Sequence, residues 1–160
     1  MMDSGSMVKW PWSEQLVPVD LAWVDVCGKE NEVLEQLQSW KLELRIEIER
    51  AVFASYLEKI YMVDAQPGTV PFVSSPEKVW GFIEIQSIAP HYPDVLVIYA
   101  IPEWDFDLQH EWCIKGGRLI YVGQVLCYGA NGYERIVEGN YAVDAESIIE
   151  KYSYVLERFV

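Results

Sequence analysis

A chain of 160 residues with 25 Asp and Glu against 12 Lys and Arg carries a formal net charge of −13. That surplus repels phosphate backbones and anionic lipid heads, so it argues against nucleic acid and membrane as partners and favours basic proteins or cations. With 51% hydrophobic and 23% charged residues, the composition is that of a folded chain long enough for one domain with its own core.

Met1 to Ser6 shows no patterning, and residues 1–8 are expected to be disordered, leaving 9–160 as a single domain. Trp10-Pro11-Trp12-Ser13-Glu14 interrupts any apolar leader, and no window reaches the length of a membrane span. Residues 16–27 alternate as a strand with Val17, Val19, Leu21 and Trp23 on one face, and Gly28 ends it. Glu30 to Gln38 reads as a short helix through Val33, Leu34 and Leu37. Residues 41–50 fit two periods. Leu42, Leu44, Ile46 and Ile48 alternate with charges as in a strand, while Trp40, Leu44, Ile48, Val52, Tyr56 and Ile60 form an i,i+4 ladder. The ladder runs on with no turn residue to break it. One helix over about 41–62 is therefore expected, with Phe53 and Leu57 widening its apolar face toward a sheet. Asp64, Pro67-Gly68, Pro71 and Ser74-Ser75-Pro76 make 64–77 a loop.

Strands follow. Residues 79–88 alternate loosely through Trp80 and Phe82, and Ala89-Pro90-His91-Tyr92-Pro93 reads as a turn. Asp94 to Ile101 is a continuous apolar run, the mark of a central strand buried on both faces. Pro102 to Gln109 bends away. His110 to Ile114 and Arg118 to Val125 pair across Lys115-Gly116-Gly117 as a hairpin. Gly129 to Gly139 is turn-rich. Asp144 is the expected N-cap of a last helix, 145–159, with Ile148, Ile149, Tyr152, Val155, Leu156 and Phe159 as its buried stripe. The whole reads as one α+β domain: an antiparallel sheet of about five to six strands with the long helix and the C-terminal helix packed on it.

The interval from Lys78 to Lys115 contains no other Lys or Arg, yet holds both histidines, His91 and His110, with Glu84, Asp94, Glu103, Asp105, Asp107 and Glu111. Aromatic side chains are interleaved, and they have two readings. In one, Trp80, Tyr99 and Trp112 pack the long helix onto the sheet. In the other, Trp104 and Phe106 project from a loop ringed by carboxylates and anchor a partner. The candidate binding set is Glu103, Trp104, Asp105, Phe106, Asp107, His110 and Glu111, in which acids steer a basic partner and aromatics hold it. The spacing is not that of a calcium loop, and zinc usually takes more His or Cys, so no metal site is assigned. On a strand His110 and Glu111 would face opposite ways, which disfavours an acid/base pair. There is no G-x-S-x-G, P-loop or G-x-G-x-x-G, so no catalytic residue and no cofactor is assigned. The three cysteines, Cys27, Cys113 and Cys127, lack C-x-x-C spacing and read as reduced thiols of a cytoplasmic protein. Cys113, three residues from His110, is a candidate nucleophile or, as is commoner, an inert buried thiol.

Trp104-Asp105, His110-Glu111 and the run Gly116-Gly117-Arg118-Leu119-Ile120-Tyr121-Val122-Gly123 resemble a group of bacterial domains. Their sheet carries a Trp-Asp-x-Glu-His-Gly element followed by a hairpin ending in Val-Gly. Pro76-Glu77-Lys78-Val79-Trp80 and a helix ending at Tyr56 match upstream; here His precedes Glu and two further residues intervene. That group is similar to immunity-type proteins encoded beside bacterial toxins, which implies toxin neutralisation. The expectation is thus an acidic cytoplasmic protein-binding module with a basic protein partner, a homodimer being left open. The alternatives are a hydrolase or metal-dependent enzyme using Asp105, Asp107, His110 and Glu111, and a scaffold subunit.

Overall fold

The computed structural model describes residues 7–20, 29–91, 94–105, 108–126 and 132–160. Strands β1 (Met7–Lys9) and β2 (Leu16–Pro18) form an antiparallel ribbon with Val8 opposite Val17, both buried. Met7 and Val8, within the span 1–8 expected to be disordered, are instead in a strand, because Val8 has a core to enter; residues 1–6 lie outside the described residues. The strand expected over 16–27 keeps 16–18 and a parallel bridge from Val19 to Ile88, while 21–28 again lies outside.

Helices α1 (Lys29–Ser39) and α2 (Leu42–Met62) follow. The i,i+4 ladder wins over the alternating pattern in α2, since Arg, Glu and Leu all favour helix and nothing interrupts it. Ala51 to Leu57 is buried without a break, so mid-α2 is enclosed on every side rather than laid with one face on the sheet. Its neighbours are the sheet, the 3-10 turn Pro76–Phe82 and helix α3 (Tyr141–Tyr152).

The main sheet is antiparallel in the order β3 (Ile83–His91), β4 (Val95–Pro102), β5 (His110–Lys115), β6 (Arg118–Gln124). It has four strands, fewer than expected, because β1 and β2 pair apart from it and residues 76–82 coil. Pro76 at the first turn, with its fixed φ, starts that coil. Ala89, Pro90 and His91, expected in a turn, continue β3 instead, with His91 paired to Val95, while residues 92 and 93 lie outside the described residues. Pro90 fits in β3 because the strand has β4 on one side only, so its missing N–H costs no ladder bond when it points away. β4 is the central strand expected. The β5–β6 hairpin turns at Gly116 and Gly117, both at positive φ (57° and 74°), the pair of left-handed conformations a tight hairpin requires.

One face of the sheet, with Ile85, Ile88, Leu96, Ile98, Trp112, Ile114 and Val122, joins the helices in the main core. Trp10, Trp12, Trp40, Trp80 and Trp112 gather there, with Trp10 within 6.3 Å of each of the other rings. Trp80 is fixed by its indole N–H, which donates to the buried Glu49 of α2 at 2.7 Å. Trp80 and Trp112 thus join the helix to the sheet as one reading has it. Tyr99 does not. It belongs to the opposite, outer face with Ala89, Val95, Val97, Cys113 and Tyr121, covered by Tyr133, Leu126 and Ile136.

Both edges of the sheet are closed by side-chain amides. Gln15 bonds Ile83 O (3.0 Å) and Ile85 N (2.8 Å) on the β3 edge. Asn140 bonds Ile120 O (3.0 Å) and Val122 N (3.2 Å) on the β6 edge. Each amide reproduces one residue of a neighbouring strand and occupies groups that would otherwise recruit another chain. Asn140 also caps α3 by accepting from Ala142 N, so this helix starts before Asp144, the cap expected from sequence. It passes into a 3-10 turn, Ser153–Phe159, which seats the fully buried Val155.

Candidate functional site

The 3-10 turn Glu103–Asp105 leaves β4 directly and sorts the expected binding residues by depth. Glu103 is exposed. Trp104 is 4% exposed and packs edge-on against Tyr56, ring centres 5.1 Å apart. An anchoring ring must be reachable, so the reading of Trp104 as a projecting hot spot is corrected: the core takes it. Tyr56 is itself fixed, donating to Pro71 O (2.9 Å) and accepting from Val73 N (3.1 Å), which ties the 64–77 loop to α2. Phe106 and Asp107 lie outside the described residues.

Asp105 turns toward α2. Its Oδ2 is 3.0 Å from His110 Nε2 and its Oδ1 2.9 Å from Lys59 Nζ. Burial pushes the carboxyl pKa up, but His110 and Lys59 outweigh it and hold the group below its ordinary value. An ionised Asp105 calls for a proton on Nε2, which in the neutral ring leaves Nδ1 as the acceptor. Nδ1 is buried with no hydrogen-bond partner among the described residues.

Asp105→Asn is expected to cost about 1–3 kcal/mol near neutral pH, because two donors lose their carboxylate. The depressed pKa gives the sign. The contribution is complete above the ordinary value of 3.8 and is lost as pH falls through the lower folded value. The stability gap between wild type and variant, followed by urea unfolding down to about pH 2, should close at the acid end. A gap constant with pH would contradict the ion pair.

His110 and Glu111 face opposite sides of β5, as the strand period requires. Glu111, opposite Tyr99, is fully buried under the outer layer. Its Oε1 accepts from the Tyr133 hydroxyl (2.5 Å) and from Leu126 N (3.2 Å). Burial, then the hydrogen bond to Glu111, drives the Tyr133 phenol pKa far up. Glu111 therefore fastens the covering segment to the sheet and is withdrawn from any contact surface. Cys113 shares that outer face, so its thiol cannot meet His110 across the strand. Among the described residues no group of three or more His, Cys, Asp or Glu is placed to hold a metal ion.

Beside Asp105 and His110 opens a hollow of about 580 Å³, between the end of α2 and the end of β6, lined also by Glu58, Lys59, Gln124 and Tyr141. The Tyr141 hydroxyl donates to Glu58 Oε1 at 2.9 Å, and burial followed by this bond raises its pKa. Sequence reasoning passed over Glu58, Lys59 and Tyr141. The available signal was Lys59 itself, a cation directly beside Ile60 and three residues from Tyr56 on the apolar ladder.

These features define a small α+β domain in which a four-stranded antiparallel sheet, a 3-10 turn and the C-terminal helix together bury a central helix, with a polar hollow at the end of that helix. Residues 25–128 match DUF6985, a domain of unknown function, and the chain belongs to that family. The match contains Lys59, Asp105 and His110 and leaves Trp10, Trp12, Tyr133, Asn140 and Tyr141 outside it. No curated protein and no solved structure matches the chain. Among the described residues no helix is long and apolar enough to cross a membrane.

Proposed function

We propose that the protein is an acidic protein-binding module that covers a basic surface of another protein, in the manner of a bacterial immunity-type protein inside the cell. The observation that carries this reading is the net charge of −13, with at least five of the twelve Lys and Arg already held by the protein's own carboxylates. Lys9 lies 3.4 Å from Glu14, Arg45 2.7 Å from Glu49, Lys59 2.9 Å from Asp105 and Arg158 2.7 Å from Asp64, while Arg50 pairs with Glu146. With these cations held by the protein's own carboxylates and a net charge of −13, the field presented to solvent is negative. Such a field accelerates encounter with a basic partner and rejects acidic ones. Glu103, the exposed member of the expected set among the described residues, lines a shallow hollow of about 330 Å³ with Glu84 and Phe82 at the edge of the sheet.

The double reversal Glu84→Lys with Glu103→Lys is expected to slow association roughly tenfold at low salt and to lose most of that effect near 0.5 M salt, with the thermal midpoint nearly unchanged. The partner is first captured from host extract on immobilised wild type, identified by mass spectrometry, and its binding rates are then measured with both proteins. Capture of no basic protein sinks the module reading; equal rates for the double variant remove Glu84 and Glu103 from the contact.

One observation favours a second reading, an enzyme acting through His110: its imidazole is oriented by Asp105 at the wall of a concave hollow. That reading requires a substrate whose turnover is lost in His110→Gln while the fold is kept.

A further inference from the structure

Building on the basic-partner reading, we infer that the hollow at the end of α2 and the one adjoining it form a single groove that receives a segment of the partner bearing an arginine or lysine side chain. The second hollow, about 460 Å³, shares Glu58, Met62, Gln124 and Tyr141 with the first, so the two adjoin. Glu58, Asp105 and Glu138 line them. Among the described lining residues Lys59 supplies the cationic side chain, and Asp105 already holds it at 2.9 Å. The groove is thus short of positive charge, and an anionic ligand would meet carboxylates.

The apolar lining fits the same occupant. Met62 and Leu108, 72% and 48% exposed, stand in the groove, and Leu126 and Ile136 continue it. Arginine and lysine carry aliphatic stems that lie along such side chains while the charged head reaches a carboxylate. Glu58 stands in both hollows, placed by the Tyr141 hydroxyl at 2.9 Å, which makes it the group to receive that head. His110, 5% exposed, adds to the same wall a ring whose Nδ1 has no partner among the described residues.

The test uses two blocked tripeptides, acetyl-Gly-Arg-Gly-amide and its citrulline counterpart, which keeps the shape and loses the charge. Each is titrated into 15N-labelled protein and followed by amide shifts. The arginine peptide is expected to move the amides of Glu58, Gln124 and Tyr141 and to bind about tenfold more tightly than the citrulline peptide. Glu58→Gln keeps an acceptor oxygen for Tyr141 and should bring the arginine peptide down to the citrulline level; an unchanged spectral dispersion shows that this variant is folded. Equal binding of the two peptides, an unaffected Glu58→Gln, or shifts confined to other surfaces would each overturn the groove. The partner assay separates the two readings. Capture of a basic protein equally well by Glu58→Gln removes the groove and leaves the module standing. Arginine-selective binding in the groove with no basic protein captured leaves the groove standing and removes the module.

Discussion

Trp10→Ala is expected to lower the unfolding free energy by about 3–5 kcal/mol, the largest single loss in the molecule. Trp10 is completely buried although it lies just after a three-residue strand near the start of the chain. Its ring centre is 5.7 Å from that of Trp12, 5.6 Å from Trp40, 5.8 Å from Trp80 and 6.3 Å from Trp112. These rings come from the N-terminal ribbon, the joint between α1 and α2, the 3-10 turn before β3, and β5. Removing the central ring leaves a cavity that rings held by separate elements cannot collapse to fill, so the cavity cost adds to the lost burial. One opposing contribution is small: Trp10 Nε1 is buried with no partner among the described residues, and the substitution removes that penalty. Trp10→Phe keeps an edge-on ring contact and should cost roughly half as much. Urea unfolding followed by far-ultraviolet circular dichroism measures both variants. Because Trp10 lies outside the stretch that matches DUF6985, the outcome also tests whether the N-terminal segment belongs to the domain. A loss below about 1 kcal/mol for Trp10→Ala would mean that residues 7–20 merely lean on a core complete without them.

What could be read from the sequence was what neighbours in sequence decide. The ladder from Trp40 to Ile60 marked α2, the run from Asp94 to Ile101 marked the central strand, and Gly116-Gly117 placed the hairpin, because each signal is complete within one element. The α+β class followed from their order. The edges of the sheet were hidden, since nothing local marks Gln15 as a stand-in for a strand residue beside Ile83, 68 positions away. The candidate site was legible only in part for the same reason. An acidic, aromatic composition over 103–111 is visible; which of those acids meet a partner is not. Asp105 is answered by Lys59 from α2, and Glu111 by Tyr133 from beyond the sheet. Trp104 is claimed by Tyr56. The two-residue period did separate His110 from Glu111, and it places them on opposite faces for a reason the sequence already contained.

Asn140→Ala is expected to cost about 2–4 kcal/mol, the second large loss, from a residue that is neither apolar nor charged. Its side chain is 1% exposed and makes every bond an amide of that size can make from one place. Oδ1 accepts from Val122 N (3.2 Å) and Ala142 N (3.0 Å), and Nδ2 donates to Ile120 O (3.0 Å) and Ile136 O (2.9 Å). The first and third of these close the β6 edge, the second caps α3, and the fourth holds the segment after Tyr133 that covers the outer face. Alanine leaves these backbone groups unanswered in a place water does not reach, and an unmade buried bond costs more than a made one gains. Asn140→Asp separates the roles. The carboxylate keeps the acceptor for Val122 N and Ala142 N and suits a helix N-terminus, but it cannot donate to Ile120 O or Ile136 O. If capping dominates, Asp should restore most of the stability lost in Ala; if edge closure dominates, it should remain nearly as unstable. The pattern of four bonds, two of them donated to carbonyls that would face a carboxylate at close range, leads us to expect the second result in thermal unfolding. Recovery of the wild-type midpoint by Asp would reverse that assignment and make Asn140 a helix cap first.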